Sequence, residues 1–276
     1  MSRLLLGTAI ADQEFEGLRA LLYREAGITL SEQKKPMVCG RLGKRLTNLG
    51  LSSYGAYLKR IESGQDPAEL QTAIDLLTTN ETYFFREPKH FEWLRNRMKA
   101  APAGRPFRVW SAACSSGEEP YTIAMVAAET LGDRPWEVHA SDISTRVLET
   151  ARTGLYPIER AEHIPKALLS KYCLRGNGKY EGSFLIAKSL RQRVQFRHMN
   201  LQRSLPDLPI FDVIFLRNVM IYFDADTKKA LVERLAERLR PDGRLVIGHS
   251  ESLNGLTASV EQEMPTVYAR VRVPPR

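Results

Sequence analysis

The chain has 276 residues, 43% of them hydrophobic and 26% charged, with a formal net charge of +8. Such a composition fits a soluble globular protein with room for one large or two ordinary domains. No stretch approaches the roughly 18–20 uninterrupted apolar residues of a membrane-spanning helix. The first residues, "MSRLLLGTAIADQEFEG", hold an Arg and a short apolar run, but acidic residues follow without a cleavage pattern, so a cytoplasmic location is expected. Cys39, Cys114 and Cys173 are far apart, and the five histidines form no H-x-x-x-H pair, so neither a disulfide frame nor a metal centre is expected. The positive charge is spread along the chain, which fits either an anionic partner or plain solubility.

Helical patterns come first. "DQEFEGLRALLYREAGI" puts Phe15, Leu18, Leu21 and Leu22 on one face, with Asp12 as expected cap and Gly27 as the stop. "SEQKKPMVCGRLGKRLTNLG" gives a second helix, and "SSYGAYLKRIESG" a third through Tyr54, Tyr57, Leu58 and Ile61. "DPAELQTAIDLL" begins with Asp66, Pro67 and Glu69, a capping-box arrangement. These four define a helical domain over residues 1–76. It is almost neutral, with ten Lys/Arg against nine Asp/Glu, yet Arg41, Lys44 and Arg45 share one side of the second helix with Asn48. That side is either a solvated face or a docking face for an acidic partner.

Residues 77–276 read as a second domain, with 77–90 as linker. From residue 105 strands and helices alternate: "FRVWSAAC", the helix within "SSGEEPYTIAMVAAETLG", "WEVHASD", "STRVLETARTG", then "RVQFRHMNL", "FDVIFLRNVMIYF", "ADTKKALVERLAERLRPDG", "RLVIGHSES" and "VYARVRV". Alternation predicts an α/β fold, an open sheet with its ligand at the carboxyl ends of the strands; the last two strands are expected to close it as an antiparallel pair. "KYCLRGNGKYEGSFLIAKSLRQRVQF", punctuated by Gly176, Gly178 and Gly182, predicts a small antiparallel β-subdomain inserted at about 168–195.

The turn after the first strand, Ser111 to Pro120, carries neither G-x-G-x-x-G nor G-x-x-x-x-G-K-S/T. Glu118 and Glu119 open the next helix, where a pyrophosphate would meet two carboxylates; complementing the helix dipole is their other reading. A nucleoside carrying a sulfonium and an ammonium fits better. Asp142 ends the second strand, where a carboxylate accepts from ribose hydroxyls or, alternatively, caps a helix. Together these features favour an S-adenosylmethionine-dependent methyltransferase over a dehydrogenase. After the fourth strand, "RNVMIYF" is neither the Asn/Asp-Pro-Pro-Tyr/Phe segment of many amino-group methylating enzymes nor a Pro-Cys nucleophile, which points to an oxygen acceptor. A nucleic-acid methyltransferase is the alternative that the basic charge suggests, but the cations are not interleaved with aromatics along a groove-like segment.

Five segments, "TNETYFFRE" at 79–87, "WSAACSSGEEPYTIAM" at 110–125, "ASDIS" at 140–144, "RNVMIYF" at 217–223 and "GHSES" at 248–252, taken in order resemble the CheR family of chemotaxis receptor methyltransferases. The resemblance spans essentially the whole chain. It implies a class I, Rossmann-like S-adenosylmethionine-dependent methyltransferase domain behind the helical domain. The activity implied is protein-glutamate O-methyltransferase: methyl transfer to glutamates of membrane chemoreceptors, giving 5-O-methyl esters and S-adenosylhomocysteine. It further implies that Asn80, Thr82, Arg86, Glu118, Asp142, Asn200, Leu201, Arg217 and Asn218 line the cofactor site, with Arg86 and Tyr222 nearest the transferred methyl. Arg41, Lys44 and Arg45 would dock on the receptor's acidic stalk. The partners expected are the cytoplasmic domains of methyl-accepting chemotaxis proteins, with no nucleic acid, no membrane insertion and a monomeric state.

Overall fold

The computed structural model describes residues 9–271. The run "MSRLLLGT", weighed as a leader, and the last residues of "VYARVRV" lie outside them. The chain forms two compact units, one running to Thr79 and including Tyr222–Asp224, the other made of Asn80–Ile221 and the chain from Ala225 onward.

The first unit holds α1 (Asp12–Ala26), α2 (Lys35–Asn48), α3 (Tyr54–Glu62) and α4 (Pro67–Leu77). Its core is the periodic set read from sequence: Phe15, Leu18, Leu21 and Leu22 on α1, Val38, Leu42 and Leu46 on α2, Tyr54, Tyr57 and Ile61 on α3, Ile74 and Leu77 on α4. Gly27 ends α1 in the left-handed region (φ 68°), its N–H donating to the Tyr23 carbonyl, as a residue without Cβ does at least cost. Asp12 is not the cap of α1. Ala11 holds that position, its N–H donating to the Glu14 carboxylate (3.0 Å), while Asp12 pairs with Lys35. The capping box of α4 is half made. Asp66 accepts from the Glu69 N–H (3.2 Å), but the Glu69 carboxylate turns away to Arg45 and the Tyr57 hydroxyl.

The second unit opens with α5 (Lys89–Ala100) and continues as β1 (Phe107–Ser111), α6 (Glu118–Leu131), β2 (Trp136–Asp142) and α7 (Thr145–Thr153). After a small subdomain come β6 (Val194–His198), β7 (Phe211–Leu216), α10 (Ala225–Glu237), β8 (Leu239–Ile247), β9 (Val260–Met264) and β10 (Val267–Arg270). These strands make one seven-stranded sheet in the order β6-β2-β1-β7-β8-β10-β9. The first five are parallel; β10 runs antiparallel to β8, and β9 antiparallel to β10. Every residue of β7 is buried, as for a strand covered on both faces. The order reverses between β1 and β7, so the crevice at their carboxyl ends is the switch point where such folds bind ligands. The antiparallel closure by β8 and β10 was expected; the edge strand β9 was not.

The subdomain comprises β3 (Leu155–Pro157), α8 (Lys166–Tyr172), β4 (Cys173–Arg175), β5 (Ser183–Ile186) and α9 (Lys188–Arg191). Its sheet, in the order β3-β5-β4, is antiparallel throughout. It buries Tyr156, Phe184 and Ile186.

Candidate active site

The β1–α6 turn is where the expected residues converge. Ser115 stands in the left-handed region (φ 48°), and Gly117 follows at φ 98°. A Cβ on Gly117 would lie 2.8 Å from both the Ala151 Cβ and the Tyr156 hydroxyl, so glycine is required there on both counts. This tight turn aims the Ser115 N–H at Asp142 Oδ2 (2.8 Å), and the Ser144 N–H donates to Oδ1 (2.9 Å). The carboxylate of Asp142 is thereby fixed at the tip of β2. It does not cap α7; the Ser144 hydroxyl does, accepting from the Val147 N–H.

Glu118 is almost fully buried and bonded by the Ser116 hydroxyl (2.7 Å), with Arg160 Nη1 at 3.3 Å. Burial pushes its carboxyl up from the usual range, opposed by the Ser116 bond and by Arg160. The same guanidinium donates to the Thr82 carbonyl (2.7 Å), and the Ser115 hydroxyl donates to the Asn80 carbonyl (2.8 Å). Asn80, Thr82, Glu118 and Asp142 are thus tied to one turn, with Arg160 as a tie that sequence reasoning missed.

Segment 82–87 is irregular because its aromatics point three ways. The Phe84 ring is fully buried between Tyr156 (5.2 Å) and Phe184 (5.9 Å). Phe85 meets Phe91 at 5.6 Å, and Tyr83 meets His163 at 4.8 Å. These partners all belong to the α/β unit. Phe85 and Glu87 have φ of 58° and 59°, a conformation costly for bulky side chains and held here by the packing. Arg86, half-buried, donates through Nη1 to the Glu81 carbonyl (2.9 Å), with its guanidinium 5.8 Å from the Tyr83 ring.

Arg217, at the end of β7, is buried between two carboxylates. Nη2 lies 3.0 Å from Glu87 Oε2, and Nη1 bonds Glu119 Oε2 at 2.8 Å. Nη2 also donates to the Arg86 carbonyl (2.5 Å), and the Phe91 ring lies 5.7 Å beneath. Glu119 in turn accepts from the Ser111 hydroxyl (2.7 Å), so beyond complementing the α6 dipole it holds Arg217. Burial works to raise Glu87, but the Arg217 guanidinium holds it below the usual carboxylate range. Burial and Arg217 together push the His90 imidazole down to about 4, so near neutrality it is uncharged.

Asn218 breaks β7 with a left-handed φ of 56°. Its N–H and those of Val219, Met220 and Gly248 converge on the half-buried Glu251 carboxylate at 2.8–3.0 Å. "RNVMIYF" is therefore not the continuation of a strand. It is a turn, followed by a short 3-10 segment at Met220–Tyr222, built around a carboxylate 33 residues downstream. Asn200 Oδ1 accepts from the Gln202 N–H, and the carbonyl of the buried Leu201 accepts from Arg234. Tyr222 groups with the helical unit, its carbonyl accepting from the Thr29 N–H (2.8 Å).

On α2, Arg41 Nη1 donates to the carbonyls of Leu76, Leu77 and Thr78 at the end of α4, and Arg45 grips Glu69. Lys44 is exposed and has no partner among the described residues. Two of the three expected docking cations are therefore engaged inside the helical unit.

An open α/β sheet with this crevice and acidic β1 and β2 ends is that of the Rossmann-like S-adenosylmethionine-dependent methyltransferases. Residues 80–269 match the family described as "CheR methyltransferase, SAM binding domain", and residues 13–78 match "CheR methyltransferase, all-alpha domain". The chain belongs to the CheR methyltransferase family. It is 44% identical to the chemotaxis protein methyltransferase of Escherichia coli (strain K12), over 95% of this chain and 92% of that one. It is 43% identical to chemotaxis protein methyltransferase 2 of Pseudomonas aeruginosa, over 93% and 92%, and 37% identical to the chemotaxis protein methyltransferase of Borreliella burgdorferi, over 96% of both. Among the described residues no helix is long and apolar enough to cross a membrane.

Proposed function

We propose that this protein transfers the methyl group of S-adenosylmethionine to glutamate carboxylates on the cytoplasmic domains of membrane chemoreceptors, acting in the cytoplasm. The products are glutamate 5-O-methyl esters and S-adenosylhomocysteine. The observation that carries the cofactor reading is the electrostatics of the β1–α6 turn. Its Ser115 amide already serves Asp142, and Glu118 lies buried at the helix start, which suits a cationic nucleoside and repels a pyrophosphate. The names of the relatives support the chemotaxis context.

The donor set fits that cofactor. Asp142 presents its carboxylate to ribose hydroxyls, Glu118 offers charge to an ammonium, and Asn80, Thr82, Asn200, Leu201, Arg217 and Asn218 complete the lining. When bound, the cofactor supplies an electrophilic methyl on a sulfonium. A glutamate side chain, with an ordinary pKa of about 4.3, is ionised near neutrality and needs no general base. What the protein must supply is alignment and exclusion of water. Arg86, with one guanidinium bond among the described residues, retains N–H groups that can orient the incoming carboxylate. Tyr222 adds a weaker directional bond. On the helical unit, docking through the α2 face centres on Lys44, because Arg41 and Arg45 have internal duties.

The test is transfer of labelled methyl from S-adenosylmethionine to chemoreceptor-containing membranes. The label should be released as methanol by base. Base-stable label would mean N-methylation and would overturn the assignment.

A further inference from the structure

We propose that Glu87, His90 and His249 form a binding site for a divalent transition-metal ion of the zinc class. The three side chains come from a strained segment, from the first turn of α5 and from the loop after β8, and one ligand atom of each lies within 4.8 Å of the others. Glu87 Oε2 is 3.3 Å from His90 Nδ1 and 3.9 Å from His249 Nε2. Two ligands about 2.0–2.2 Å from a tetrahedral zinc ion lie roughly 3.3–3.5 Å apart. The first pair already has that spacing. His249, with its side chain 55% exposed, can close the second by a small rotation and offers an approach from solvent.

The hydrogen bonding around His90 carries the argument. The Thr266 hydroxyl donates to the Pro265 carbonyl (2.5 Å), so at its 2.7 Å contact with His90 Nε2 it acts as acceptor. His90 is then protonated on Nε2, and Nδ1 presents a lone pair toward Glu87. Both His90 Nδ1 and Glu87 Oε2 are buried; Nδ1 has no hydrogen-bond partner among the described residues, and Oε2 has the ion pair with Arg217 (3.0 Å) on its other side. Two buried lone pairs facing one another repel, and a cation between them converts that repulsion into coordination. An Nε2–H held by a second residue while Nδ1 points at the site is also the arrangement that orients metal-binding histidines. Arg217 does not close the site, because with Glu87 turned to a metal it keeps Glu119 and the Arg86 carbonyl. Two imidazoles and one carboxylate select zinc, cobalt, nickel or copper over magnesium and calcium. Loading would draw Glu87 from Arg217 and depress methyl transfer; that consequence rests on the function proposed above, whereas metal uptake does not.

The probe is Co2+ added to the full chain after chelator dialysis, followed by displacement with Zn2+. The expected result is a ligand-field spectrum that saturates at one equivalent, is abolished by Zn2+ and is not produced or disturbed by Mg2+. His249→Ala, at an exposed position, and Thr266→Val, which removes the acceptor behind His90, should each weaken uptake at least about tenfold. Their melting without metal, compared with the parent chain, reads folding separately. His163→Ala and His198→Ala should change nothing. No stoichiometric uptake, or uptake that survives His249→Ala, would overturn the proposal, whatever the methylation assay gives.

Discussion

Replacing Arg45 by Ala separates a structural role from a docking role for the α2 face. Glu69 is 2% exposed, with Arg45 Nε at 3.0 Å, a second closer guanidinium contact and the Tyr57 hydroxyl at 2.7 Å. Removing one partner of a buried pair costs roughly 3–5 kcal/mol, chiefly because the other charge is left without compensation. The lower end applies, since Tyr57 still donates and Glu69 sits in the first turn of α4, where the helix dipole favours a carboxylate. A loss of about 3 kcal/mol corresponds to roughly hundredfold faster amide exchange wherever opening of the helical unit limits protection. Hydrogen exchange read by mass spectrometry on the full chain should show that acceleration in peptides from α2 and α4, with β1 and β7 unchanged. The double variant Arg45→Met, Glu69→Leu should recover most of it. If Arg45→Ala exchanged like the parent chain yet lost transfer to receptor, the internal role assigned to Arg45 would be refuted.

Arg45 also sets a pH dependence. Its hydrogen bond, and then that of Tyr57, hold the Glu69 carboxyl below its ordinary value against the effect of burial. The stabilisation is therefore complete above the unfolded pKa of about 4.3 and lost as pH falls through the lowered folded value, so α2 and α4 exchange should accelerate only below about pH 4. Arg86→Ala should lower turnover at least about a hundredfold while cofactor affinity, measured by calorimetry, stays within a few-fold. Gly117→Ala, which forces a Cβ against Ala151 and Tyr156 at φ 98°, should cost about 2–4 kcal/mol and abolish cofactor binding, both read in a ligand-dependent melt. Arg217→Met should deprive Glu87 and Glu119 of their shared cation, lowering the melting temperature and raising the apparent pKa of Glu87 in a carboxyl titration by NMR.

The elements that sequence reading located best were those whose burial follows a period. α1 shows its apolar stripe, and β2 stands at Trp136–Asp142 as read. β9 was missed because only Val260 of its five residues is buried, and a polar edge strand resembles a loop. β3, with three residues, is too short to show any alternation. "RNVMIYF" read as strand because its apolar content hides Asn218, whose left-handed conformation depends on Glu251, a partner no local pattern reveals. The same holds for Arg41 and Arg45, whose helical spacing was legible while their partners on α4 were not. His90 and His249 are 159 positions apart in sequence, yet their rings meet at 5.0 Å. Spacing along the chain could not have paired them; the only local hint was Glu87 and His90 three residues apart at a helix start.

The spokes formed by Tyr83, Phe84 and Phe85 have a consequence for how this chain can change. Three consecutive rings seat in three different places, against His163, against Tyr156 with Phe184, and against Phe91. A point substitution empties one seat and leaves the others intact. Inserting or deleting a single residue between 83 and 85 would send every ring to the wrong seat and carry Arg86 and Glu87 out of line with Glu81 and Arg217. Length is thus the invariant of this segment more than identity, and a library that varies its residues should yield folded members where one that varies its length by a single position yields none.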